Sequence, residues 1–148
     1  MASYTNDPLH QKLVAVLIPL LRRTCPADAG GYGGSYELRL TAQEAEELGG
    51  VPLIRSAMRK AARELGWSKL QTYGMGPTGD MALAGVVDER QIPEEFTTVV
   101  ERHRLDKQRA AAEAAWQLVA TGRPHAVRGS AFVTTQEFRA AYSAADHA

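Results

Sequence analysis

An α+β fold, mostly helical with one small β-hairpin and a long helix in its C-terminal part, is what this sequence of 148 residues predicts. Three observations carry that reading. Helix starts recur where a capping residue or a proline precedes an apolar-periodic stretch, as at Asn6-Asp7-Pro8, Thr41-Ala42-Gln43-Glu44, Val51-Pro52 and Ile92-Pro93. Two short β-type runs flank a cluster of turn formers at Gly76–Asp80. Finally, the stretch from Pro93 to Thr121 holds no helix breaker, and as a helix it would span roughly 42 Å at 1.5 Å per residue.

In chain order, the first helix runs from Pro8 to about Arg23, with a kink expected at Pro19, and Cys25-Pro26 ends it. Four glycines in Gly30–Gly34 read as a flexible connector. Tyr36–Leu40 alternates apolar and charged residues as a half-buried strand does. A capping box, Thr41 with Glu44, opens a short acidic helix that Gly49-Gly50 stops. The next helix runs from Val51 to about Leu65, with Ile54, Ala57, Met58, Ala61 and Leu65 as its apolar stripe. Lys69–Tyr73 and Met81–Val87 are the hairpin strands. A second capping box, Thr134 with Glu137, is expected to open a short final helix, with Val133 and Phe138 as its hydrophobic staple. Residues 1–90 are expected to form the main unit, and 91–148 a helical arm packed with it.

Composition narrows the function classes. Hydrophobic residues make up 45% and charged residues 23%, an ordinary globular balance. Seventeen basic and seventeen acidic side chains cancel, which excludes a uniformly basic coat for nucleic acid. One cysteine excludes an internal disulfide framework and suits a reducing cytoplasm. The longest apolar run, Leu13–Leu21, is far short of the roughly 18–20 residues of a membrane helix, so no membrane partner is expected.

Locally the charge is strongly patterned. Residues 51–75 carry Arg55, Arg59, Lys60, Arg63 and Lys69 against Glu64 alone. Residues 102–128 carry six bases against Asp106 and Glu113, and residues 76–101 carry six acids against Arg90. Arg55, Arg59 and Arg63 stand at i, i+4 and i+8 of one helix, with Ser56 and Lys60 beside them. Guanidinium groups in such a row suit phosphate, whose oxygens they bind bidentately. The alternative is that they pair with Glu44, Glu46 and Glu47 of the preceding helix or are simply solvated.

The run Leu40–Pro52 (LTAQEAEELGGVP) resembles the helix-turn-helix opening of excisionase-like and MerR-like DNA-binding proteins. The order helix, strand, capped helix, turn, basic helix, hairpin is similar to that of winged-helix domains. The resemblance implies a winged-helix-like domain whose second helix of the pair enters the major groove. Leu53, Arg55, Ser56 and Arg59 would then approach bases, and Lys60 and Arg63 phosphates. Lys69 would extend this surface, and Arg102, Arg104, Lys107 and Arg109 would form a second phosphate-contacting patch. The long helix would pair two copies as a homodimer. Three features depart from the pattern: Gly49 stands where a large apolar residue is usual, Arg55 and Ser56 stand where the second helix usually has a wedge of apolar residues, and the hairpin turn carries Asp80 and no base.

Catalytic readings find less support. Gly74–Gly79 matches G-x-G-x-x-G, but a strand follows it where a dinucleotide site needs a helix. His10, His103, His125 and His147 lack metal-ligand spacing. No serine lies in a nucleophile-elbow pattern, and only Arg22 and Arg23 neighbour Cys25 to activate it. The expectation is a cytoplasmic DNA-binding regulator, not an enzyme, with no cofactor and no metal. An assembly module that docks a protein partner through its acidic and basic segments is the alternative.

Overall fold

The computed structural model describes residues 4, 6–121 and 130–146. Among them, helices α1 (Pro8–Thr24), α2 (Ala42–Glu47), α3 (Val51–Glu64), α4 (Glu94–Thr121) and α5 (Ser130–Ala145) surround strands β1 (Ser35–Thr41), β2 (Leu70–Thr78) and β3 (Met81–Asp88). The sheet is antiparallel in the order β1-β3-β2, so the architecture is α+β as the sequence predicts. No helix among the described residues is long and apolar enough to cross a membrane.

Local signals set most element boundaries. Asp7 caps α1, its carboxylate accepting from the Leu9 N–H at 2.8 Å with Pro8 in the first turn. Pro19 lies inside α1, and the helix continues through it to Thr24. The capping box of α2 is present in both directions: Thr41 Oγ1 accepts from Glu44 N–H, and Glu44 accepts from Thr41 N–H. Gly49 and Gly50 then take φ of +99° and +96°, the region where only glycine is unstrained. That turn lets α3 start at Val51 directly after α2.

Strand alternation divides the sheet into two faces. Tyr36, Leu38 and Leu40 of β1 and Ala82, Ala84 and Val86 of β3 are buried on the inner face. Helices α1 and α3 pack against this face and against each other, burying Leu13, Leu17, Ile54 and Met58 completely. On the outer face Glu37, Gly85 and Tyr73 stand in one row across all three strands. The Tyr73 ring lies over Gly85, where a Cβ would sit only 2.2 Å from it, and its hydroxyl donates to Glu37 at 2.9 Å.

Helix α5 closes the free edge of β1. Thr134 Oγ1 donates to the Glu37 carbonyl at 2.9 Å, and the Arg39 N–H donates to Thr135 Oγ1 at 3.1 Å. Covering backbone groups in this way protects an edge strand from pairing with another chain. Phe138 meanwhile enters the main core. The expected capping box at Thr134 and Glu137 is not formed. The helix begins at Ser130, so Thr134 lies inside it and its side chain turns to β1. Val133, the other half of the expected staple, is exposed.

The glycine segment between α1 and β1 is not the featureless connector that its composition suggests. A Cβ on Gly34 would meet the Trp67 ring at 2.4 Å, one on Gly33 would meet Val100 at 2.9 Å, and one on Gly30 would meet Phe96 at 2.6 Å. The glycines therefore let Trp67 and the first two turns of α4 approach the backbone. Beside them, buried Asp88 accepts from the Gly33 N–H and from Arg90, whose guanidinium also donates to Gly31 O and Gly66 O. The same guanidinium lies 4.3 Å from the Tyr32 ring centre, and Tyr32 stacks on Phe96 of α4.

Two stability predictions follow from these contacts. Asp88→Ala strands the Arg90 guanidinium in a largely buried site and is expected to cost about 3 kcal/mol; urea denaturation measures it, and a loss below about 1 kcal/mol would show that the cluster is dispensable. Arg139 clasps Glu44 through two bonds of 2.8 Å and, with Thr41, holds its carboxyl down at about 2 from an ordinary 4.5. That contribution is complete above about pH 4.5 and fades as the pH falls toward 2. Arg139→Gln should therefore cost about 1 kcal/mol at pH 7, given the pair's partial exposure, and the deficit should shrink as the pH falls below 4.5 and close near pH 2 in pH-dependent melts.

Candidate nucleic-acid interface

Helix α3 owes its position to a gap in β2. Gly74 faces it, and a Cβ there would lie 2.7 Å from Val51 Cγ1 and 2.8 Å from Arg55 Cδ. Without that atom the helix settles on the strand, and a glycine inside a strand commonly marks such an approach. Leu53, Ile54, Ala57, Met58, Ala61 and Ala62 form the buried side. Leu53, expected near bases, is thus a core residue at 2% exposure.

The polar side of α3 is anchored at Arg55 and Arg59 and free at Lys60 and Arg63. Arg55 Nη2 donates to the Thr72 carbonyl at 3.2 Å and lies 3.3 Å from Thr72 Oγ1, while Arg59 Nη2 donates to the same hydroxyl at 3.0 Å. One threonine of β2 therefore holds two arginines side by side, both half-buried. Ser56 is turned toward α1, its hydroxyl 3.1 Å from His10 Nε2. Lys60, Arg63 and Lys69 are exposed.

The charge of this helix is not cancelled by its neighbours. The ion pairs among the described residues join Lys12 to Asp146, Arg39 to Glu37, Arg90 to Asp88 and Arg139 to Glu44. None involves a basic side chain of α3. The pairing with Glu44 that the sequence left open is excluded, because Arg139 of α5 occupies that carboxylate. Four cations, Arg55, Arg59, Lys60 and Arg63, thus share one helix with no carboxylate partner among the described residues.

The second basic segment lies elsewhere. Arg102, Arg104 and Arg109 are exposed on α4, whereas Lys107 turns inward, with Nζ 3.5 Å from Ser35 Oγ on β1. Burial pushes the Lys107 ammonium below its ordinary value. The same cause, with Lys107 beside it, lowers His103, whose Nε2 is buried with no hydrogen-bond partner among the described residues. The two basic segments meet the sheet at opposite edges, Thr72 on β2 and Ser35 on β1, with β3 between them.

The hairpin differs from the expected one. Its strands extend to Thr78 and Met81, leaving Gly79-Asp80 as the turn. The Asp80 carbonyl accepts from the Ala42 N–H at 2.7 Å, and Thr41 of β1 pairs with Met81. The turn therefore ends level with β1, against the start of α2, and does not project. The G-x-G-x-x-G run lies within this hairpin with no helix after it, so it has no dinucleotide-site geometry. Cys25 donates to Gly31 O, and burial raises its thiol above the ordinary value, which makes it a poor nucleophile. His125 and His147 lie outside the described residues, and no cluster of metal-ligating side chains occurs within them.

Sequence reasoning missed Thr72, Gly74 and His10, which position the basic face. Gly74 lies just past the β-type run read from the sequence, Lys69–Tyr73, so its place inside a strand left no signal there. In comparisons with protein families, curated proteins and solved structures, nothing matches this chain.

Proposed function

We propose that this protein is a small DNA-binding regulator that lays α3 in the major groove. The observation that carries the reading is the row of unneutralised cations on α3, braced by Thr72 and reached directly after a capped helix and a tight glycine turn. A helix of 14 residues extends roughly 21 Å and fits a groove about 12 Å wide. Arg55 and Arg59 keep donor groups beyond the bonds to Thr72 and suit base edges or phosphates, while Lys60, Arg63 and Lys69 suit phosphates. Ser56, engaged with His10, is the weakest member of the expected set. The order of elements from α1 to β3 is the one that the winged-helix resemblance implies, but the level hairpin turn removes the wing as a contact.

The proposed regulator is a homodimer joined through α4. Only Val100 is buried in this helix of 28 residues. Leu105, Ala112, Trp116 and Val119 follow at intervals of seven, four and three along one side, with Trp116 66% and Val119 78% exposed. Such a stripe is a coiled-coil seam in its spacing and a liability if left open. The same stripe favours the second reading, an assembly module for a protein partner, if the duplex test fails.

Anisotropy of a labelled random duplex tests the proposal. Affinity should fall about 100-fold between 50 and 200 mM salt if about four phosphates are neutralised. The double variant Lys60→Glu, Arg63→Glu should abolish binding without lowering Tm, because both side chains are exposed. Arg59→Ala should weaken it several-fold, and Thr72→Val, which keeps every charge, supplies the control for the lost hydrogen bond. Binding that ignores salt or survives the double variant would overturn the reading. Sedimentation should give a mass near twice 16.1 kDa for the dimer, and Trp116→Glu should lower it.

A further inference from the structure

Helix α4 meets the glycine segment through its first turns and also contacts α5. Phe96 and Val100 seat on the glycine segment, and Lys107 reaches Ser35. Farther along, the helix faces β1 and α5 across a groove of about 860 Å³, within the range of small-molecule sites. Along α4 the lining changes from His103 and Lys107 to Ala111, Ala114, Ala115 and Leu118. The facing wall carries Leu20, Ser35, Tyr36, Glu37 and Tyr73.

Most polar groups of that wall are already satisfied. Tyr73 donates to Glu37, Arg39 pairs with Glu37, and the Tyr36 hydroxyl donates to the Thr134 carbonyl at 2.8 Å. Arg23 and Glu137 also line the groove and make no hydrogen bond or ion pair among the described residues, and on α4 the same is nearly true of Lys107 and His103. The Lys107 ammonium has no carboxylate partner among the described residues and only a long contact to a hydroxyl, and His103 Nε2 is buried without a partner. A half-buried cation and an unused imidazole nitrogen one helical turn apart call for an acceptor-bearing group between them. The small apolar residues one to three turns farther along leave room for a hydrophobic body.

We propose that this groove binds an amphipathic organic anion, its carboxylate or sulfonate head at Lys107 and His103 and its apolar body along Ala111, Ala114 and Leu118. The site is separate from α3 and stands whether or not the protein binds DNA. A bound ligand would tie the distal part of α4 to β1, a link that the described contacts otherwise lack.

Two fluorescent probes with the same ring system test it on the full chain: 8-anilinonaphthalene-1-sulfonate, which is anionic, and N-phenyl-1-naphthylamine, which is uncharged. The anion should bind saturably at one site per chain and at least tenfold more tightly than the neutral probe. Decanoate should displace it. Lys107→Met, which keeps the stem and removes the charge, should erase that preference, and Ala114→Phe should block both probes while melting like the parent. Trp116→Ala, on the outer stripe, should change neither. Equal affinity for the two probes, a preference that persists in Lys107→Met, or binding lost in Trp116→Ala would overturn the proposal; should Ala114→Phe melt early, the probe preference in Lys107→Met decides alone.

Discussion

The ion pair between Asp88 and Arg90 is the constraint on which the remaining arrangement depends. Asp88 closes β3 and is nearly sealed from solvent, so its charge needs full compensation. Arg90 supplies it, and its remaining donors reach the carbonyls of Gly31 and Gly66. One guanidinium thereby fastens the end of the central strand to the glycine segment after α1 and to the turn after α3. Through Tyr32 and Phe96 the same cluster sets the direction in which α4 leaves the fold. The turn that ends the basic helix and the groove under α4 both meet at this junction.

The glycines serve that junction by subtraction. Gly33 and Gly34 admit Val100 and Trp67, and Gly74 admits α3 to the sheet. Side chains at these positions would hold α4 and α3 farther from the strands. The arginines of α3 would then lose their common anchor at Thr72, and a cationic face without an anchor is a set of long, solvated side chains. Preorganisation of this kind reduces the entropy lost when such groups engage a phosphate backbone.

Features written in neighbouring residues were legible in the sequence. Asp7-Pro8, the Thr41–Glu44 box and the glycine turn at Gly49-Gly50 act within a few positions, and they appear where local chemistry puts them. The cationic row on α3 was legible for the same reason, since helical spacing alone aligns Arg55, Arg59 and Arg63. What was not legible depends on partners far along the chain. Thr134 looks like a helix cap until β1, almost 100 residues earlier, offers its free edge. Gly30–Gly34 reads as a linker until Trp67, Phe96 and Val100 arrive. The groove joins residues from α1, β1, β2, α4 and α5, and no local pattern announces a space enclosed by five elements.

The central claim is that the cations of α3, and not those of α4, meet nucleic acid. Backbone amide shifts, followed by NMR as a short duplex is added to labelled protein at low salt, address it residue by residue. The account predicts perturbations concentrated at residues 53–63 and Lys69, with Arg102, Arg104 and Arg109 little affected. Shifts confined to α4, with α3 silent, would contradict it.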